Sequence, residues 1–420
     1  MQSAARFIQN REPSAARDAL NQAERLNSQQ SGLWAAYGFL YAAQDQTNQA
    51  IGALQKEVEY HPENVFVYEG LAQAQKQTGR KEDAIQTLRL WVKAAPENSD
   101  AVLTLARELI AEERYSEAAE PLTAAVKTDA GNINLKTELL NVLLRSGKKA
   151  EASSLLAGLR EQKLDAHAQN EIAYFLADTS TELPLAQELA EKSVAGYEDQ
   201  SGQAKLSGVT TENLDTVLSL GAAWDTLGWV YFRNGNFTKA ENFLQGAWIL
   251  LQNAESADHL GQLYERQRKT PEAIHYYRLA LAAQRDRPST RQRLEKLGGS
   301  ADDRPTLRRG QPGAPRTPPT VSPEEELSKM RSFPIPGLSQ RQGDAEFFLL
   351  FSPKGLVDAR PLDGDEKLKA ALNILTKTSY GLSFPDEGPE KLVRRGILSC
   401  SQYTTPTCNL VLFLPANTRP

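Results

Sequence analysis

GAAWDTLGWVYFRNGNFTKAENFLQGAWILLQNA, residues 221–254, reads as two amphipathic helices joined by a turn. Trp224, Leu227, Gly228 and Tyr231 fall at i, i+3, i+4 and i+7, one apolar stripe with a glycine where a second helix must come close. Asn234, Gly235 and Asn236 supply the turn. Ala240, Leu244 and Ala247 then share one face of the second helix, with a small residue at the tightest contact.

The small residue of the second helix marks a register, because a bulky side chain there would push the paired helices apart. Ala16, Ala50, Ala84, Ala118, Ala152 and Ala186 follow one another at a step of 34 residues, so six hairpins run in sequence. Leu20, Leu54, Leu88, Leu122 and Leu156 stand four residues further on in the first five, and Ala190 in the sixth. Pro62 and Pro96 end the second and third hairpins, where a residue with fixed φ and no N–H stops a helix. The pattern W-x2-L-G-x2-Y, then a small residue, a bulky apolar one and a second alanine, resembles the tetratricopeptide repeat. The second hairpin carries nearly all of it in Trp34, Tyr37, Gly38, Tyr41, Ala50, Leu54 and Pro62. The resemblance implies a mainly α fold, a right-handed α-solenoid of stacked hairpins.

Residues 1–297 read as such an array of about eight hairpins. In the sixth, Ala173 and Tyr174 stand where Leu and Gly would, and Pro184 falls in the first turn of the second helix, which tolerates it. From Ala186 to Ala240 the step grows to 54, an insertion over about 196–220. Gln200 to Gly208 reads as a loop, and Thr211 to Leu220 as a capped helix running straight into the Trp224 helix. The eighth hairpin follows at a step of 33, with Leu260, Gly261, Tyr264, Ala273, Tyr277 and Ala280. Pro288 to Leu297 would cap the array, covering a stacking face that is otherwise wet. Met1 falls inside the first helix of hairpin one, which suggests a fragment or a gene start assigned too late.

Residues 298–332 are rich in Pro, Gly, Arg and Ser, including RRGQPGAPRTPPTVSP, and read as a flexible, partly polyproline linker. Residues 333–420 change period. Ala345 to Phe351 and Leu356 to Leu362 flank a Ser-Pro-Lys-Gly turn as a β-hairpin, Asp363 to Thr378 reads as an amphipathic helix, and Tyr380 to Phe384, Leu392 to Cys400 and Asn409 to Leu414 are apolar stretches. This order, a small α+β domain, is similar to the C-terminal domain of TonB-like periplasmic proteins. Cys400 and Cys408 are the two cysteines of the chain. A cross-strand disulfide and a pair of buried free thiols both suit adjacent strands, while a metal site lacks the usual four ligands.

Apolar residues at 40% and charged ones at 24%, with 7% aromatic, are the mix of exposed amphipathic helices. A net charge of −5 gives nucleic acid or an anionic membrane no basic surface to meet. No apolar run approaches the ~20 residues needed to span a bilayer, and the first residues form no export signal. The expected location is the cytoplasm, or the periplasm and cell envelope if an upstream signal is missing from this chain.

The first helices of a solenoid of this kind line its concave wall. The register places there Glu69, Gln73 and Lys76, then Arg107, Asn141 and Arg145, Glu171 and Phe175, Asp225 and Trp229, and Asp258 and Gln262. These form either a solvated face or a groove for a protein or peptide, in which Arg107 and Arg145 would hold carboxylates and Phe175 and Trp229 would take apolar side chains. Trp229 could equally be covered by the insertion. The Lys-and-Asn clamp by which some family members grip a chaperone's terminal carboxylate is missing, since the corresponding pairs are Ala35 with Phe39, Glu69 with Gln73 and Leu103 with Arg107. No catalytic motif is present, His259 reads as a surface histidine, and no cofactor is implied. The resulting expectation is a non-catalytic protein–protein interaction scaffold. The alternative is the non-catalytic C-terminal part of a larger envelope enzyme with a transglutaminase-like or peptidase domain upstream.

Overall fold

Each alanine of the 34-residue register, from Ala16 to Ala186, is buried in a helix contact, as are Ala240 and Ala273. The computed structural model describes residues 12–300, 321–338, 342–382, 384–385, 388–389, 391–401 and 407–415. It separates into two units, Met1–Lys163 and Leu164–Pro420. The start of hairpin one and the Pro/Arg-rich run of residues 301–320 lie outside the described residues. No helix among the described residues is long and apolar enough to cross a membrane.

In the first unit α1 (Pro13–Leu26) completes hairpin one. Four hairpins follow: α2 (Leu33–Ala42) with α3 (Thr47–Tyr60), α4 (Tyr68–Gln77) with α5 (Lys81–Ala94), α6 (Ser99–Ala111) with α7 (Tyr115–Thr128), and α8 (Ile133–Arg145) with α9 (Lys149–Arg160). Asn98 and Asn132 cap α6 and α8, each accepting a backbone N–H of the first turn through its side chain. The fit between partners is close. A Cβ on Gly38 would meet the Leu54 side chain at 2.5 Å, so the glycine and the leucine opposite it are chosen together. Glu57 is fully buried on α3 and accepts the N–H groups of Gly32, Trp34 and Ala35 at 2.7–3.2 Å. Its carboxylate thereby serves the orphan donors that begin α2.

The second unit holds α10 (Ala166–Asp178) with α11 (Leu183–Gly202), α12 (Thr211–Arg233) with α13 (Phe237–Leu251), α14 (Ala254–Arg266) with α15 (Thr270–Ala283), and the closing helix α16 (Pro288–Lys296). Thr210 and Asn213 form a capping box at the start of α12. The stretch 200–208 is not a plain loop, because α11 continues through Gly202 and Leu206–Gly208 makes a 3-10 turn.

Beyond α16 the described chain resumes with α17 (Pro323–Lys329) and β1 (Ser332–Pro334), ordered structure where composition suggests linker. Strands β2 (Gly343–Ser352), β3 (Gly355–Gly364), β4 (Leu392–Ser401) and β5 (Thr407–Leu412) complete an antiparallel sheet in the order β1-β5-β4-β2-β3. The helix expected over 363–378 is two four-residue helices, α18 (Glu366–Lys369) and α19 (Leu372–Leu375). Tyr380 makes no strand. Its ring meets Phe333 and Phe351 edge-on at 5.3 and 5.4 Å, and its hydroxyl donates to the Leu375 carbonyl, so it fills the core and closes α19.

The insertion seats this sheet. Leu350 and Val393, cross-strand partners, pack with Ala204, Leu206 and Leu214. Ser201 Oγ donates to the Lys391 carbonyl at 2.9 Å, and Arg360 Nη1 donates to the Leu206 carbonyl at 2.8 Å. Phe384 meets Trp224 edge-on at 6.4 Å, and the Pro385 ring lies where a Cβ on Gly246 would be, 2.8 Å away.

Candidate partner-binding face

One register position runs through both units. Phe39, Gln73, Arg107, Asn141 and Phe175 follow at steps of 34, and Trp229 is its equivalent after the insertion. Exposure along it falls off sharply: Phe39 is 47% exposed, Gln73 and Arg107 are exposed, Asn141 is 5% exposed, and Phe175 and Trp229 are buried.

In the first unit Lys76 and Arg107 are tied to the next hairpin, and Asn141 and Arg145 to their own helix. Lys76 Nζ lies 2.5 Å from Glu108 Oε2, and Arg107 Nε lies 3.1 Å from Glu138 Oε1. Glu138 also accepts from Asn141 Nδ2 at 3.2 Å, and Arg145 Nε donates to Asn141 Oδ1 at 2.9 Å while its guanidinium sits over the Tyr115 ring. Glu108 and Glu138 are buried carboxylates. Arg107 and Arg145 are thus engaged by the chain's own acceptors, and Asn141 is a bridge inside the wall. Glu69 and Gln73 face solvent.

Phe66 belongs to the same stripe, seven residues before Gln73, and is 87% exposed in the Val65–Val67 3-10 turn that opens α4. Its spacing from Gln73 was the available signal. Phe39 and Phe66, with Glu69, Gln73 and Lys76, make an open amphipathic face on α2 and α4.

In the second unit the corresponding residues close on themselves. Trp229 does not offer a groove wall: its indole stacks on His259 at 4.2 Å and on Phe232 at 4.9 Å, with the Arg233 guanidinium 5.3 Å from its centroid. These ring partners come from α12 and α14 rather than from residues 196–220. Asp225 is buried, with Oδ2 2.8 Å from His259 Nδ1. Tyr174 donates to Glu255 Oε1 at 2.8 Å, so α10 reaches α14 directly, and Phe175 packs against the Tyr174 ring. Asp258 accepts from Gln262 at 2.7 Å and from Thr290 at 2.7 Å.

His259 is therefore not a surface histidine; it is 5% exposed and lies between Trp229 and Asp225. Burial alone would push its pKa down, but the charge and hydrogen bond of Asp225, followed by Glu255 and Asp258, outweigh it and raise the value to about 9. The imidazolium pairs with Asp225 and presents its cationic face to the Trp229 ring. Burial first, and the Glu255 charge second, push the Tyr174 hydroxyl strongly up, which keeps it a donor.

Cys400 and Cys408 are register partners of β4 and β5 with Cα atoms 4.0 Å apart, and their sulphurs are bonded.

Sequence profiles described as tetratricopeptide repeat match residues 41–108 and 109–173, and a second such profile matches residues 256–292. The chain carries tetratricopeptide repeats, and residues 174–255 fall outside these matches. No curated protein matches it in sequence. Among solved structures it is similar to a tetratricopeptide repeat protein from Parabacteroides merdae, at 12% identity over 71% of this chain and 97% of that one, with a TM-score of 0.43. It is also similar to yeast Tom70, at 15% identity over 69% of this chain and 59% of that one, with a TM-score of 0.44. YrrB, described as a TPR protein with an unusual peptide-binding site, matches at 20% identity over 42% of this chain and 91% of that one, with a TM-score of 0.34. Likenesses of this size carry no functional argument.

Proposed function

We propose that the chain is a non-catalytic binding protein that seats a peptide segment or protein loop on the first helices of hairpins two and three. The observation that carries this is the exposure of Phe39 and Phe66 on the stripe of Glu69, Gln73 and Lys76. An aromatic held in water on a repeat helix gains by burial against an apolar side chain of a ligand, and the polar neighbours fix orientation. The equivalent aromatics of the second unit are already covered by their own neighbours. The test is capture by the immobilised full chain, from envelope and cytosolic extracts, against a Phe39→Ser/Phe66→Ser double variant. Both substitutions are at exposed positions, so circular dichroism should match the parent. Loss of a specifically retained protein from the double variant supports the reading; retention by both forms refutes it.

We propose in addition that the chain works in an oxidising envelope compartment, a reading supported by the Cys400–Cys408 bond. Two freely alkylated thiols in protein isolated without reductant would remove that support.

A further inference from the structure

We infer that Arg331 and Arg394, at one end of the C-terminal sheet, form a binding site for a small oxyanion with two acceptor oxygens. Strand β5 lies between β1 and β4. Arg331 continues the ladder before β1, its carbonyl accepting the Leu412 N–H at 2.9 Å. Arg394 lies on β4, and its Nη2 donates to the Phe413 carbonyl at 2.8 Å. The two arginines therefore flank the same end of β5. Alternation sets Arg394 on the sheet face of Leu392 and Leu398, both buried. Phe333, two residues beyond Arg331, packs on Tyr380 on that face too.

Arg394 is 3% exposed, and its Nε and the Nε of Arg331 are buried donors with no hydrogen-bond partner. Neither makes an ion pair among the described residues. The contrast with the next residue is direct: Arg395, on the opposite face, is matched by Glu346 at 2.7 Å. A buried guanidinium without a counter-charge is strongly disfavoured, and a second one beside it adds repulsion. Burial first, and Arg331 second, push the Arg394 pKa down to about 10. A planar fork of N–H donors accepts carboxylate or phosphate edge-on, and an anion would supply both the missing acceptors and the missing charge. The burial of Arg394 restricts the occupant to a free phosphate-class ion or the carboxylate end of a peptide. This inference is independent of the peptide face on hairpins two and three.

The experiment uses the full chain, titrated by calorimetry and thermal unfolding with inorganic phosphate and with N-acetylglycine, each against chloride at matched ionic strength. A saturable rise in Tm with either probe, beyond that of chloride, is expected. Phosphate alone assigns a phosphate-class occupant; N-acetylglycine alone or as well assigns a carboxylate terminus. Arg331→Gln, at a half-buried position, should weaken the effective probe by tenfold or more. Arg394→Met, which keeps the apolar stem, should abolish binding and, without anion, melt no lower than the parent. If neither probe exceeds chloride, or if the shift survives in Arg331→Gln, the site does not exist. The second criterion stands even if Arg394→Met fails to fold.

Discussion

The buried pair of Asp225 and His259 makes the second unit's stability depend on pH in a defined direction. The folded pKa of His259 is about 9 against an ordinary value of 6.5, so the folded state binds the proton more tightly. The stabilisation is complete below about pH 6.5, shrinks as the pH rises, and is gone above about pH 9. A difference of roughly 2.5 units, at about 1.4 kcal/mol each, sets its size at about 3.5 kcal/mol. Urea unfolding from pH 6 to 9.5 measures it. Replacing Trp34 and Trp91 with Phe leaves tryptophans 224, 229 and 248 as reporters of the second unit. Subtracting the same series for His259→Gln removes the contribution of other titrating groups. Asp225→Asn removes the largest favourable partner, so burial dominates and the imidazole prefers to be neutral; the loss of stability between about pH 6.5 and 9 should then vanish, and the His259 contribution should instead rise with pH below about 6.5 and stay level above it. Breaking the buried pair should also cost about 3–5 kcal/mol near neutral pH. A parent-minus-variant difference that stays flat from pH 6.5 to 9, or an Asp225→Asn slope of unchanged sign, would refute the charged-pair reading.

Two further outcomes probe the C-terminal sheet. Gly246→Leu places a side chain where Pro385 sits, so limited proteolysis should cut between residues 380 and 391 in the variant and not in the parent; equal resistance would mean that the Pro385 contact does not hold that segment. Reducing Cys400–Cys408, which close a loop of about nine residues, should lower the stability of the sheet by about 2–3 kcal/mol on the chain-entropy account, and an unchanged Tm in a Cys400→Ser/Cys408→Ser variant would count against it.

The repeat was legible because its signal is local and repeated. A small residue every 34 positions, followed four residues on along the same helix by a bulky one that packs on the partner helix, is the packing rule of these hairpins, and the alanines from Ala16 to Ala273 are buried accordingly. The sixth hairpin obeys the same rule with sizes exchanged, Tyr174 standing where glycine would and Ala190 where leucine would. The displaced bulk then reaches Glu255, 81 residues away. That contact, like the packing of Leu206 with Leu350, has no local signature, which is why residues 200–208 read as a loop and not as the seat of a sheet.

The face that a side chain leaves from can be read from the register, but its exposure cannot, because exposure depends on what the next hairpin sends back across the wall. Gln73 faces solvent, whereas Trp229 is met by His259 of the next hairpin, held in place by Asp225 one turn earlier on the same helix as the indole. An Asp-x3-Trp pair on one first helix with a histidine on the next is thus a closing device, using an ion pair to hold a ring over a ring. Where the chain has Glu69 and Gln73 instead, that device is missing and the stripe stays open, with Phe39 and Phe66 left in water. Mutagenesis aimed at binding therefore belongs at those two phenylalanines, whereas substitution of Trp229 removes a buried ring from a stacked pair and reports on folding.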